Sequence, residues 1–362
     1  MPDNSSNVQQ VTGIRETISD VEEELIIGRT EETQEIVATL CESITPENKT
    51  TILPIYGIGG IGKTTLAQLV FNDSRFTGYS RVWIHVSQNL DLNKIGNSII
   101  SQLSDESHVT SKQIISKKVK ELFAGKKILI VLDDMWETNP RTLKELKAML
   151  RPVVSSMVAV IVTTRDEAIA REICRAAEPY KLDTLTDKLC WKIIKQQTAF
   201  KDRSDKQQLK RVGKEIAAKC GGVALAAQSL GYTLKGKTSD EWESVRDNYI
   251  WNLSTSADPS SIDHEVLASL LLSYSRMPDW LKLCFSYCAV FPKGHNIAKH
   301  YLIHQWIALG FIEPSKMFDT MQLCEKYVTQ LLGMSFLEYS KTFLVLILTQ
   351  HTVAKKYYYK TK

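Results

Sequence analysis

The sequence contains no uninterrupted apolar run of about 18 residues, and the apolar run at residues 343–348 is too short to cross a bilayer. A membrane span is therefore not expected. The seven cysteines include no C-x-x-C pair, and no secretory leader precedes them. These absences favour reduced cysteines and a cytoplasmic or nuclear location.

Patterns for metal or nucleic-acid binding are also scarce. Cys284 and Cys288 lie four residues apart in an apolar stretch without a second ligand pair, which favours core packing over a zinc site. His300 and His304 share this spacing but have no Glu between them, so we interpret them as surface or boundary residues. The formal charge of +4 is spread over 45 basic and 41 acidic residues, so nucleic acid is not an expected partner.

What the sequence does contain is an alternation of strand and helix patterns. Residues 1–25 are mostly polar and predict a flexible arm or linker remnant. Five runs rich in Ile, Val and Leu follow, separated by helical segments, at residues 51–56, 81–86, 127–132, 158–163 and 180–182. Nearly continuous apolar strands that alternate with helices predict an α/β fold with a parallel sheet. Ligands of such sheets bind at the carboxyl ends of the strands.

The first run leads into the turn GIGGIGKTT at residues 57–65, which matches the phosphate-binding pattern G-x-x-x-x-G-K-[ST] at every fixed position. Its glycines let backbone N–H groups point at an anion, and the next helix adds its positive dipole end. We expect Lys63 to reach the β- and γ-phosphates and the Thr64 hydroxyl to ligate Mg²⁺. The alternative, a glycine turn without a ligand, is disfavoured by the strand and helix around it. The predicted phosphate-binding residues are Gly57, Gly60, Ile61, Gly62, Lys63, Thr64 and Thr65.

Charged residues end two further strands. Asp133 and Asp134 close the third run, about 70 residues after the glycine turn. Asp133 is predicted to hold Mg²⁺ and Asp134 to orient or deprotonate an attacking water, so Lys63, Asp133 and Asp134 form the predicted catalytic set. Without the glycine turn, an acidic pair at a strand end would indicate only a solvated strand end. Arg165 ends the fourth run, where it can report a γ-phosphate. No N-K-x-D-type segment is present, which favours adenine over guanine.

Helical periodicity replaces the strand pattern from about residue 186. Residues 220–227 form a glycine break that opens a helix of small residues. From about residue 259 three helical patterns precede the strand-like run 343–348, which suggests a winged-helix unit. Trp251, Trp280 and Trp306 are predicted core anchors in this half.

In this order and spacing, the chain resembles the NB-ARC module of plant intracellular immune receptors with leucine-rich repeats, relatives of the apoptotic protease-activating factors. The resemblance runs from about residue 26 to 312. The stretches that carry it are IIGR, GIGGIGKTTLA, FTGYSRVWIHVS, KILIVLDDMW, VIVTTR, YKLDTL, CGGVALAAQSLG, SYSRMPDWLKLCFSYCAVFPKG and LIHQWIALGFI.

The resemblance implies three parts: a nucleotide-binding P-loop domain at residues 26–185, a helical ARC subdomain at 186–255 and a winged-helix subdomain at 256–362. It implies that ADP holds these parts closed, that exchange to ATP opens them for oligomerisation in defence signalling, and that slow ATP hydrolysis resets the switch. Ile27 and Arg29 would lie against adenine and ribose, and Arg165 would sense the γ-phosphate.

Two positions depart from the family pattern. The family's G-L-P-L-A segment reads GVALA here, so that Ala224, beside Leu225 at the nucleotide, replaces a proline. The family's M-H-D motif is matched best by Gln350, His351 and Thr352, so that His351 would touch the ADP β-phosphate but the Asp is missing. A lost hydrogen bond to a charged group is worth about 1.5–3 kcal/mol, which predicts a leaky closed state.

Several functions remain open at this point. The leading hypothesis is a regulatory ADP/ATP switch with weak ATPase activity. A conventional ATPase would instead show sustained turnover. A truncated receptor that acts as an adaptor or decoy is the third alternative, since L-x-x-L-x-L repeats are absent. In a full-length receptor, the expected partners are its own N-terminal signalling domain and leucine-rich repeats, together with further copies when ATP is bound.

Overall fold

The fold is taken from a computed structural model of the 362-residue chain. The structure describes residues 23–45, 49–86, 90–104, 111–151, 155–252, 263–292, 295–313, 315, 317–339 and 345–348. Within these ranges, no helix combines the length and the apolar character needed to cross a bilayer.

A parallel five-stranded sheet lies at the centre of the first part of the chain, in the order β2-β3-β4-β1-β5. The strands are β1 (Thr50–Tyr56), β2 (Ser80–His85), β3 (Lys127–Met135), β4 (Met157–Thr164) and β5 (Tyr180–Lys181). Each overlaps one of the five predicted runs. The predicted α/β fold is therefore confirmed, and β1, which leads into the glycine turn, lies between β4 and β5.

Helices cover both faces of this sheet. They are α1 (Thr30–Ser43), α2 (Lys63–Asn72), α3 (Leu92–Leu103), α4 (Lys112–Phe123), α5 (Pro140–Met149) and α6 (Glu167–Ile173). Successive side chains of β3 point to opposite faces: Ile128, Ile130 and Leu132 join one hydrophobic core, whereas Leu129 and Val131 join the other. Burial on both sides explains why the strand sequences are continuously apolar.

Four helices form the second part: α7 (Asp187–Gln197), α8 (Lys206–Lys219), α9 (Ala224–Thr233) and α10 (Ser239–Arg246). Their core contains Trp191 and Trp242, whose rings meet edge to face with centroids 6.5 Å apart. Gly213 of α8 makes this packing possible, because a Cβ at that position would lie 2.2 Å from the Trp191 ring.

The third part combines helices with a small antiparallel sheet in the order β6-β8-β7. Its elements are α11 (Asp263–Ser275), α12 (Asp279–Tyr287), β6 (Asn296–Ala298), α13 (Lys299–Ala308), α14 (Thr320–Gly333), β7 (Leu337–Tyr339) and β8 (Val345–Leu348). Trp306 is fully buried, whereas Trp251 and Trp280 are partly buried against the cores. Cys284 and Cys288 are buried as expected, and His300 and His304 are exposed. The divisions near residues 185 and 255 stay predictions.

Candidate functional site

The glycine turn joins the carboxyl end of β1 to α2. Gly60 and Gly62 have φ angles of 75° and 108°, in the left-handed region that favours glycine. Gly62 is also the N-cap of α2 and provides no side-chain hydrogen bond to the first turn of the helix. The amide groups in the first turn of an α-helix have no acceptor inside the helix, and the positive end of the helix dipole points the same way, so the start of α2 favours an anion.

Lys63 places a cation at this turn. Its side chain is buried, and Nζ donates to the carbonyl oxygens of Gly57 and Ile58, each at 2.8 Å. Because both acceptors belong to the turn itself, the ammonium group is held beside the glycine backbone. From this position it can bind a phosphate oxygen that enters the turn.

Asp133 is the most buried ionisable residue of the site and ends the apolar part of β3. Its Oδ1 accepts hydrogen bonds from the Thr64 hydroxyl at 2.9 Å and the Thr163 hydroxyl at 2.6 Å. The His85 Nδ1 lies 3.7 Å from Oδ2, which is ion-pair range but beyond a hydrogen bond. Burial raises the pKa of the Asp133 carboxyl, but His85 and the two hydroxyl donors outweigh burial and lower this pKa below its ordinary value.

The residues around Asp133 fit a magnesium ion. Among the described residues, the buried Oδ2 atom of Asp133 has no hydrogen-bond partner. The Thr64 hydroxyl already touches the other carboxylate oxygen, so two oxygen donors from different elements converge. Oxygen donors of this kind are what Mg²⁺ prefers, and it usually takes only one or two carboxylates from the protein. This geometry supports the predicted metal ligands, Thr64 and Asp133.

Asp134 and Arg165 flank the same space. Asp134 has a φ of 59°, unusual for a residue other than glycine, and its N–H donates to Thr163 Oγ1 at 2.8 Å. Arg165 stacks over the Trp136 ring, with its guanidinium carbon 4.9 Å from the centroid. It also lies against the turn, because a Cβ added at Gly59 would be 2.9 Å from Arg165 Nη1. A strained acid and an exposed Arg therefore border the glycine turn.

A cavity of about 460 Å³ connects these groups with the other two parts of the chain. One wall is the start of α9, where the Leu225 N–H donates to the Gly60 carbonyl at 3.1 Å. Residues from the end of α14 to β7 form another part of the lining. The lining residues are Gly59, Gly60, Gly62, Lys63, Thr64, Thr65, Asp133, Asp134, Thr163, Arg165, Ala224, Leu225, Gln228, Leu332, Ser335, Leu337 and Glu338. The structure thus brings together the predicted catalytic set, Arg165, Ala224 and Leu225.

Four predicted residues do not line this cavity: Ile27, Arg29, Gly57 and Ile61. Arg29 is nevertheless tied to the turn, because its buried guanidinium donates to the Ile61 carbonyl at 2.9 Å. The same group pairs with Glu32 at 2.6 Å. Arg29 therefore supports the glycine turn from the side of α1. The predicted contact at His351 falls outside the described residues.

Several lining or supporting residues escaped sequence reasoning. Thr163 and His85 carried a weak signal, since each is a polar residue at the carboxyl end of an apolar strand. In the parallel pairing of β2 with β3, His85 lies opposite Asp133. The remaining residues had no local signal, because only tertiary packing brings them to the phosphate-binding turn: Gln228, Leu332, Ser335, Leu337 and Glu338.

Comparison with known proteins agrees with this architecture. The NB-ARC domain family matches residues 29–205, and the disease resistance protein winged helix domain family matches residues 290–347. Disease resistance protein RGA2 of Solanum bulbocastanum is 40% identical over 303 residues, which are 82% of this chain and 30% of that protein. Disease resistance RPP13-like protein 4 of Arabidopsis thaliana is 32% identical over 271 residues, which are 72% of this chain and 31% of that protein. The match thus spans about 30% of the length of each of these two relatives.

Among solved structures, a signal transduction ATPase with numerous domains from Pyrococcus horikoshii, which carries a tetratricopeptide repeat sensor, has a similar fold. Its TM-score is 0.55 at 16% identity, and the match covers 95% of this chain and 44% of that one. The P-loop α/β fold and the resemblance stated from the sequence are both confirmed. The chain belongs to the NB-ARC family of plant disease resistance proteins and carries their winged helix domain as well.

Proposed function

We propose that this chain is the ADP/ATP switch of a plant immune receptor. In this proposal ADP holds the three parts closed, exchange to ATP opens them for oligomerisation in defence signalling, and slow ATP hydrolysis restores the ADP state. The partners are the N-terminal signalling domain and the leucine-rich repeats of a full-length receptor, and the location is cytoplasmic or nuclear.

The observation that carries this proposal is the composition of the cavity wall. Residues of the glycine turn, of α9 and of the α14–β7 segment all line one space of about 460 Å³. A nucleotide bound there contacts all three parts of the chain at once. Its binding energy therefore depends on how the parts are arranged, which is the requirement for a ligand that shifts a conformational equilibrium.

Positively charged groups face the proposed position of the nucleotide phosphates from two sides. Lys63 and the first amides of α2 approach from the glycine turn, and Arg165 approaches from the end of β4. Arg165 is the residue proposed to sense a γ-phosphate, because its guanidinium is exposed and stacks on Trp136 rather than being buried in an ion pair. When ATP is hydrolysed, Arg165 would lose its contact with the γ-phosphate, and one wall of the cavity would lose a charge-assisted interaction with the nucleotide.

For hydrolysis, Thr64 and Asp133 would hold Mg²⁺, which supplies charge neutralisation at the phosphates when bound. Asp133 keeps its carboxylate ionised for this role, since its pKa is lowered. Asp134, whose backbone is fixed by Thr163, would orient or deprotonate the attacking water. Ile27 and Arg29 are proposed to lie beside adenine and ribose, and His351 beside the β-phosphate.

Substitution of Lys63 tests this proposal. We expect ADP to co-purify with the wild-type chain and to be lost from the Lys63→Ala variant, because a charged hydrogen bond contributes about 1.5–3 kcal/mol, or roughly 10- to 100-fold in affinity. The nucleotide released on denaturation would be quantified by anion-exchange chromatography. Lys120→Ala, which removes an exposed lysine of α4, is the matched control. Undiminished ADP in the Lys63 variant would refute the proposal.

A further inference from the structure

A second concave surface lies between α5 and the end of α6. It has a volume of about 750 Å³ and is lined by Pro140, Arg141, Lys144, Lys147, Arg151, Glu172, Cys174 and Arg175. Of these eight described residues, five are cations and one is a carboxylate. The whole chain carries a formal charge of only +4, so this groove, which we name the α5 groove, concentrates positive charge.

The spacing of residues along α5 produces one wall of the groove. Arg141, Lys144 and Lys147 follow one another at three-residue intervals and therefore share a helix face. Leu143 and Leu146 are buried on the opposite side and fix the helix against the sheet. The start of the helix is also fixed, because Asn139 caps it and Pro140 occupies its first turn.

Arg175 comes from the other wall, and its backbone is hydrogen-bonded to β1. Its N–H donates to the Ile52 carbonyl at 3.0 Å, and its own carbonyl accepts from the Ile52 N–H at 2.9 Å. This bridge attaches the segment after α6 to β1. Cations therefore approach the groove from two separately anchored elements, the arrangement needed to bind one anion from two sides.

Several of these cations are not neutralised within the groove. Glu172 is engaged by Lys147, whose Nζ donates to its carbonyl oxygen at 2.6 Å and lies 3.9 Å from its carboxylate. In the part of the chain that the structure describes, no ion pair involves Lys144, Arg151 or Arg175. Burial raises the pKa of the Cys174 thiol, so this residue adds no negative charge at neutral pH.

The groove is separate from the nucleotide cavity. The described residues that line the two sites have no member in common. Arg175 is attached to Ile52 near the start of β1, whereas the glycine turn follows Tyr56 at its carboxyl end. Four residues of strand separate these points by roughly 13 Å at about 3.3 Å per residue. Arg175, on one wall of the groove, therefore lies near the end of β1 that is opposite to the glycine turn.

The side chains that line the α5 groove restrict the kinds of ligand that it can bind. Among the described residues, none that lines the groove is aromatic or a large aliphatic residue that could stack on a base, enter a membrane or anchor a partner protein. Its volume is typical of small-molecule sites. Three of the described cations are arginines, of which Arg141 is paired with Glu145 at 3.4 Å, whereas Arg151 and Arg175 make no ion pair with a described residue. Arginine binds phosphate through two parallel hydrogen bonds. We infer that the α5 groove binds a small anion that carries two or more phosphate groups.

The test uses inorganic tripolyphosphate and pyrophosphate with the full chain, and isothermal titration calorimetry as the readout. Because the glycine turn could also bind these probes, titrations are made on ADP-saturated protein and again on the Lys63→Ala variant. Tripolyphosphate should bind in both cases, more tightly than pyrophosphate, and its affinity should fall as ionic strength rises. Binding of tripolyphosphate to the Lys63→Ala variant would show that the α5 groove binds it whether or not the proposed nucleotide function is correct.

Charge-removing variants locate the site. In Lys144→Gln/Arg175→Gln, the dissociation constant for tripolyphosphate should rise at least about tenfold, since each lost charged contact costs on the order of tenfold. Lys120→Gln, which removes one exposed cation from the neighbouring helix α4, should leave it unchanged. Lys144→Gln alone, at an exposed position, provides a fallback if the double variant does not fold.

Two results would overturn the inference. One is an equal affinity for tripolyphosphate in the wild type, Lys144→Gln and Lys120→Gln. The other is binding to phosphatidylserine vesicles that depends on Lys144 and that excess tripolyphosphate does not displace, because that would identify a membrane surface as the ligand instead.

Discussion

The backbone N–H of Leu225 donates a hydrogen bond of 3.1 Å to the carbonyl oxygen of Gly60. This bond joins the first turn of α9 to the middle of the glycine turn. The two residues also pack closely, because a Cβ added at Gly60 would lie 2.9 Å from Leu225 Cβ. The start of α9 is thus in direct backbone contact with the phosphate-binding turn.

The Gly60→Ala substitution should break this contact. Gly60 has a φ of 75°, so the left-handed backbone alone costs an alanine about 1–2 kcal/mol. The clash with Leu225 adds about 1–3 kcal/mol of overpacking, or moves α9 away from the turn. We expect a lower urea midpoint of unfolding and loss of co-purified ADP.

Gly125→Ala provides the matched control for that experiment. Gly125 has a similar φ of 69°, but a Cβ there meets nothing within 4 Å. It should therefore show the backbone cost alone and keep its ADP. If the two variants retained ADP equally, the contact between α9 and the turn would not contribute to nucleotide binding.

Replacing Ala224 with proline should be tolerated and slightly stabilising. Ala224 is the first residue of α9, where the N–H has no acceptor inside the helix and proline is favoured. Val223 before it has φ −88° and ψ 116°, which suits a residue that precedes proline. The expected gain is about 0.4–1 kcal/mol, because proline restricts the unfolded chain.

The measurement is the urea midpoint, together with the rate of ADP release, which should fall or stay the same. Ala227→Pro, within the same helix, is the control. The N–H of Ala227 donates to the Val223 carbonyl at 3.1 Å, so proline there should cost about 3 kcal/mol or more. A destabilising Ala224→Pro would show that the start of α9 does not accommodate the family's proline.

Asp133 should make the stability of the fold sensitive to acid. Its pKa in the folded state is lowered, whereas an unfolded Asp has a pKa of about 3.9. The unfolded state therefore takes up the proton first, so the stabilisation is present above pH of about 4 and is lost as pH falls through the folded-state pKa.

Urea unfolding of the wild type and Asp133→Asn between pH 5 and pH 3 would measure this effect. The free energy of unfolding of the wild type should fall more steeply than that of the variant. Asp279→Asn, which removes a carboxylate whose side chain is 92% exposed, should follow the wild type. Parallel curves for the wild type and Asp133→Asn would contradict the lowered pKa.

The local part of the architecture was readable from the sequence. The apolar runs located five strands because burial on both faces requires continuous Val, Ile and Leu. The glycine turn was also recognisable, since its φ angles and its lysine are encoded in adjacent residues. Asp133 and Arg165 could be placed near it because strands of a parallel sheet end on one edge.

Tertiary structure alone decided what surrounds those residues. Strand order places the hydroxyls of Thr163 and Thr64 on the Asp133 carboxylate, although they lie 30 and 69 residues from it in the chain. It also places α9 and β7 along the cavity that the turn borders, and directs Arg29 toward the Ile61 carbonyl. The periodicity of apolar residues indicates which face of a helix or strand is buried. It does not indicate which distant element packs against that face. The phosphate-binding turn was therefore determined by local sequence, whereas the cavity around it was determined by packing.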